Sequence, residues 1–150
     1  MEPVPVGEGA PVPGAPRRAS YALDGDGAWI AEARRLAEAF LTRVRTEDGL
    51  TVSSYAVEVT QLVVSELVTN ARKYAPGSVQ LDLRIAGDTL EVMVRDGSTV
   101  LPVAGGANPD RVGRHGLEIV LAVAQGVDVQ PEPTGKRITA LVSLVETGGR

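Results

Sequence analysis

Apolar side chains recur at helical spacing at Trp29, Ile30, Ala33, Leu36, Ala37, Phe40 and Val44, which predicts a first amphipathic helix. Asp26 stands where a helix cap would accept backbone N–H bonds. Asp48-Gly49 signals a turn, Ser53 or Ser54 is placed to cap a second helix, and Pro76-Gly77 stops that helix near Ala75. Two stretches of strict alternation follow. Val79, Leu81, Leu83 and Ile85 alternate with Gln80, Asp82 and Arg84; Leu90, Val92 and Val94 alternate with Glu91, Met93 and Arg95. With Gly87-Asp88 between them they predict an antiparallel hairpin with one buried face. Residues 96 to about 112 are rich in Gly and Pro, a length that predicts a working loop, here a candidate lid. Leu117, Ile119, Val120, Val123 and Ala124 predict a short third helix ended by Gln125-Gly126. Residues 127–130 and 138–145 predict two more strands, joined by a turn at 131–135. The order helix, helix, strand, strand, helix, strand, strand implies an α+β fold. Its apolar faces are most simply buried in a two-layer sandwich, with helices over one face of a mixed, mainly antiparallel sheet.

Composition narrows the function classes. The chain has 150 residues, enough for one core, and the reading is a single domain over 21–150 preceded by a disordered Pro/Gly-rich tail over 1–20. A formal net charge of −4 and an aromatic content of 3% argue against direct nucleic-acid binding, which calls for a basic surface or stacking platforms. The absence of cysteine rules out disulfides and thiolate metal sites and fits a reducing cytoplasm. The first 20 residues lack the basic start and apolar run of a secretory signal, and no apolar run is long enough to predict a membrane span.

Candidate chemistry gathers on the second helix. At 100° per residue Glu66, Asn70 and Lys73 form one stripe, which continues toward the N-terminus as Leu62 and Val59. The same spacing suits a water-facing surface. A stripe that begins apolar, however, points to a partly enclosed space. An Asn one turn after a Glu offers a neutral oxygen beside a carboxylate, a pairing that suits hydrated magnesium carrying phosphate oxygens. Glu66 is then available to orient or deprotonate a hydroxyl or water, and Lys73 to approach phosphate as a point charge.

Two glycine-bearing segments complete the set. Asp96-Gly97 follows directly on the second strand, which ends at Arg95; there the carboxylate can accept a hydrogen bond from an exocyclic amine and the glycine admits a flat ring, although the same dipeptide is also a common turn. Gly113-Arg-His-Gly116 precedes the third helix, where unpaired N–H groups favour anions such as phosphate, although glycines often precede helices without that role. His115, the single histidine, reads as a loop residue rather than a base. Asp24-Gly-Asp26-Gly27 lacks the spacing and closing Glu of a calcium loop.

In this order the pieces resemble the GHKL ATP-binding superfamily, which includes histidine-kinase catalytic domains, gyrase-type ATPases and anti-sigma-factor serine kinases. Ser65-Glu-Leu-Val-Thr-Asn70-Ala-Arg-Lys-Tyr-Ala75 looks like its N-box and Val94-Arg-Asp96-Gly97-Ser98 like its first glycine box. Gly113-Arg-His-Gly116-Leu-Glu-Ile-Val120 resembles the second box and Gly135-Lys-Arg-Ile-Thr139 the closing element, so the likeness covers residues 27 to 145. It implies a Bergerat-type two-layer fold with a mobile lid, and ATP with Mg2+ as ligands. Glu66 would be the general base, Asn70 the metal ligand and Lys73 a neighbour of the phosphates. Asp96, beside Gly97, would accept the adenine amino hydrogen, and Gly113, Gly116 and Leu117 would lie along the phosphate chain. The anti-sigma branch implies transfer of the γ-phosphate to a partner serine, by a homodimer that restrains a sigma factor and phosphorylates its antagonist. The alternative is a nucleotide-responsive binding module with little turnover. A histidine-kinase core is disfavoured because His115 lies in the glycine segment, and a gyrase-like ATPase because no transducer follows. The sequence departs from the superfamily at Ser98-Thr-Val, at His115 and Glu118 where glycines often stand, and at Lys136-Arg137 where a threonine is commoner.

Overall fold

Period-two alternation builds a five-stranded sheet in the order β1-β2-β3-β5-β4, in a computed structural model that describes residues 17–23, 29–74, 77–97 and 112–145, with backbone alone at 74 and 112–116. The strands are β1 (Arg17–Leu23), β2 (Val79–Ala86), β3 (Thr89–Asp96), β4 (Gly126–Glu132) and β5 (Gly135–Ser143). Every pairing among the described strands is antiparallel, so the parallel component expected of a mixed sheet is not found there. The helices are α1 (Trp29–Glu47), α2 (Ser54–Tyr74) and α3 (Val112–Val123).

One face of the sheet is apolar and faces the helices. Val79, Leu81, Leu83 and Ile85 of β2, Leu90, Val92 and Val94 of β3, and Ile138, Ala140 and Val142 of β5 are all buried. They meet Ala33, Ala37, Phe40, Leu41 and Val44 of α1, and Val63, Val64, Leu67, Val68 and Ala71 of α2, in one core. Removing this much aliphatic surface from water is the principal stabilising term, and it compensates for the shortage of aromatics. Helix α2 is central: it packs against α1 on one flank and α3 on the other, and lies over β3 and β5. Ser53 is its N-cap, accepting the Ala56 N–H at 3.0 Å, and the Ser53 N–H in turn donates to the Leu144 carbonyl at 2.8 Å. The start of α2 is thereby tied to the end of β5.

Two expectations need correction. Residues 17–20, read as the end of a disordered tail, belong to β1, which pairs with β2 from Arg17↔Ile85 to Leu23↔Val79. The Arg17 guanidinium makes a two-pronged ion pair with Asp48 just after α1, so the edge strand is held by a contact remote in sequence. The third helix begins at Val112, not at Leu117, which makes Gly113–Gly116 part of its first turns instead of a preceding loop. Packing of α3 on α2 overrides the poor helix propensity of the two glycines. The proposed cap Asp26, residues 1–16 and the candidate lid from 98 to 111 lie outside the described residues.

The opposite face of the sheet is a charged lattice. Arg84 pairs with Glu91 at 3.2 Å, Arg95 with Asp82 at 3.5 Å and Arg137 with Glu132 at 3.7 Å. A shallow depression of about 430 Å³ on this side is lined by residues including Glu91, Met93, Thr139 and Leu141. The sheet separates it from the helix-covered face, so it is not the candidate site.

Candidate functional site

The stripe on α2 is graded in exposure. Asn70 is 5% exposed, Glu66 is half-buried and Lys73 reaches solvent. Neither the Oδ1 nor the Nδ2 of Asn70 has a hydrogen-bond partner among the described residues, although both atoms are buried. A carboxamide carries one acceptor and two donors, and leaving them unmet in the interior costs roughly 1–3 kcal/mol. Helical geometry explains how it arises: Asn70 lies three residues after Leu67 and one before Ala71, at the edge of the face that packs on the core. An orphaned polar group of this kind marks a place where a polar ligand can complete the set. The water-facing alternative for the stripe therefore holds for Lys73 and fails for Asn70.

Asp96 and Lys136 are brought together by the sheet. Both continue the buried parity of their strands: Asp96 follows Leu90, Val92 and Val94 along β3, and Lys136 precedes Ile138, Ala140 and Val142 along β5. They are direct cross-strand partners in the β3–β5 register. The Lys136 ammonium donates to Oδ1 at 3.1 Å and to Oδ2 at 2.9 Å, with the two side chains 0% and 1% exposed. A lysine entirely out of water is held here by a carboxylate equally out of water, which is what the desolvation of each requires.

Glycines flank this pair unequally. A Cβ at Gly97 would meet only the Thr134 carbonyl among the described residues, at 3.8 Å, an ordinary van der Waals distance. A Cβ at Gly135 would collide with the Asp96 carbonyl and stand 2.8 Å from the Gly97 Cα. Close approach of the β3 and β5 backbones at this end of the sheet thus demands a glycine at 135.

Gly113 falls within the first turn of α3, where backbone N–H groups lack intrahelical partners, Gly116 follows just after it, and Leu117 is buried. α3 packs directly on α2. Lys136, the buried partner of Asp96, is the residue that sequence reasoning missed; carrying the alternation of both strands two residues further would have found it. Chemically, the helix-covered side offers a half-buried carboxylate, an unsatisfied carboxamide, a helix start and a buried carboxylate–ammonium pair. No group of three or more His, Cys, Asp or Glu side chains capable of holding a metal ion occurs among the described residues. Any metal here would therefore rest on few protein ligands and take the rest from water and phosphate. No described helix is long and apolar enough to cross a membrane.

Comparison with known proteins bears on this arrangement. The family model described as "Histidine kinase-like ATPase domain" matches residues 26–142. Comparison with curated proteins gives no significant match. Among solved structures, the chain is similar to the histidine kinase domain of the Erythrobacter litoralis EL346 blue-light activated histidine kinase, with 22% identity, 72% of this chain and 61% of that chain covered, and a TM-score of 0.47. It is also similar to the Acinetobacter baumannii histidine kinase AdeS, with 14% identity, 87% of this chain and 70% of that chain covered, and a TM-score of 0.45. The chain thus spans about three-fifths of the Erythrobacter chain it matches.

Proposed function

We propose, from the premise that this chain belongs to the histidine kinase-like ATPase domain family, that it binds ATP with magnesium on the helix-covered side of the sheet and transfers the γ-phosphate to a serine of a partner protein. The observation that carries the proposal is Asn70, a carboxamide buried without a hydrogen-bond partner among the described residues, one helical turn after a half-buried glutamate. An orphaned neutral oxygen beside a carboxylate fits a hydrated magnesium ion, and Asn70 would be the protein ligand. The ion, when bound, neutralises phosphate charge and orients the triphosphate.

The chain's own groups take the remaining roles. Glu66 orients the attacking serine hydroxyl and accepts its proton. Lys73 lies near the phosphates as a point charge, and the first turn of α3, at Gly113, offers backbone N–H groups to them, with Gly116 and Leu117 alongside the phosphate chain. Asp96, next to Gly97, accepts a hydrogen bond from the exocyclic amine of the base. Positioning and charge stabilisation, rather than covalent catalysis, lower the barrier.

We further propose that the setting is cytoplasmic and regulatory: a homodimer, of the anti-sigma-factor kinase type, that holds a sigma factor and phosphorylates the antagonist. The test is incubation with magnesium, labelled ATP and a candidate antagonist carrying an accessible serine. Label is expected on the antagonist with wild type and not with Glu66→Ala, while both bind ATP. Equal labelling by Glu66→Ala would remove the role given to Glu66. A second reading, a nucleotide-responsive binding module with little turnover, is favoured by the ion pair that already occupies Asp96. Under that reading ATP alters partner affinity and no label is transferred.

A further inference from the structure

We infer that Lys136 is a specificity-determining residue of the base pocket, one that weakens ATP binding and relaxes discrimination between 6-amino and 6-keto purines. The inference rests on the proposed nucleotide site and goes beyond it by asking what the base meets there. Asp96 is the carboxylate offered to the base, and both of its oxygens already accept hydrogen bonds from Nζ of Lys136.

A carboxylate without a cationic partner can only accept hydrogen bonds. It pairs with the exocyclic amine of adenine and repels the 6-keto oxygen of guanine, because two acceptors then face each other in a site with little water. An ammonium fixed at 2.9–3.1 Å from the same carboxylate changes both terms. It draws off the charge that would hold the amine, so adenine competes with Nζ for the Asp96 oxygens. It also places a donor next to the acceptor, so the pair can meet the 6-keto oxygen with Nζ and ring N–H groups with Asp96. Lys136 is fixed opposite Asp96 by the β3–β5 register and is fully enclosed. Burial raises the cost of separating the two charges, which strengthens the competition against the base.

The test is titration of ATP and of GTP, each with magnesium, into wild type, Lys136→Met and Lys136→Gln, followed by calorimetry and thermal unfolding. Methionine removes the ammonium from beside the buried Asp96 carboxylate, so its melting temperature falls and ATP restores more of it than in wild type. Glutamine keeps a donor to Asp96 without charge, so it guards against a methionine variant that does not fold. ATP affinity is expected to rise about tenfold in Lys136→Met and a few-fold in Lys136→Gln, the scale of one hydrogen bond. GTP is expected to gain nothing, so the ATP-to-GTP preference widens. Unchanged ATP affinity in the folded variants, or an equal gain for GTP, overturns the inference while leaving the nucleotide reading intact. If wild type and the folded variants all fail to bind ATP, the nucleotide reading falls and this inference with it.

Discussion

The carbonyl of Asp96 passes so close to Gly135 that no side chain can be accommodated at position 135. All three obstructing atoms, the Asp96 carbonyl oxygen and carbon and the Gly97 Cα, belong to the backbone, which cannot rotate away as a side-chain tip would. Gly135→Ala must therefore part β3 from β5 at the end of the sheet that carries Asp96 and Lys136. The expected cost is about 3 kcal/mol, at the upper end of ordinary overpacking. Denaturant unfolding measures it, and a change below about 0.5 kcal/mol would mean that the strands yield easily.

Asp96 is expected to be a structural residue as well as a candidate ligand. Asp96→Ala takes the carboxylate away from the fully buried Lys136 ammonium, which destabilises by roughly 3–5 kcal/mol. The double variant Asp96→Leu with Lys136→Met removes both charges and fills the space, so it is expected to recover most of that loss or exceed wild type. A double-mutant cycle in urea measures the coupling, and additive effects would contradict the ion pair.

Thr60 presents the opposite case. Its side chain is fully buried on α2 and its hydroxyl has no hydrogen-bond partner among the described residues. Thr60→Val keeps the shape and removes the unsatisfied group, so stability is expected to rise by about 1 kcal/mol. A loss of stability on chemical denaturation would show that the hydroxyl is paired, for instance with an enclosed water.

Much of this fold was legible in the sequence because its signals are periodic. The helical recurrence from Trp29 to Val44 and the alternation through β2 and β3 gave α1 and the hairpin, and Gly87, at a φ of +65°, closes the hairpin's two-residue turn as expected. β1 was not legible. Its register and the Arg17–Asp48 pair are contacts remote in sequence, and the preceding run of Pro and Gly masks the short alternation of Ala19, Tyr21 and Leu23. The start of α3 was misplaced because Gly113 and Gly116 disfavour a helix locally, while packing on α2 decides the matter. At the candidate site, the stripe on α2 was readable from spacing, and so was Asp96 at a strand end. The burial of Asn70 depends on how α2 and the sheet meet, which no local pattern encodes, whereas Lys136 follows the buried parity of its strand and is set opposite Asp96 by the β3–β5 register.

The binding site itself stands or falls on position 70. Calorimetric titration of magnesium and ATP into wild type and Asn70→Ala compares them most directly, with thermal unfolding to confirm that both are folded. Saturable, magnesium-dependent heat from wild type and none from Asn70→Ala is the expected result. Equal magnesium-dependent affinity in the two proteins would contradict the assignment of Asn70 as the metal ligand.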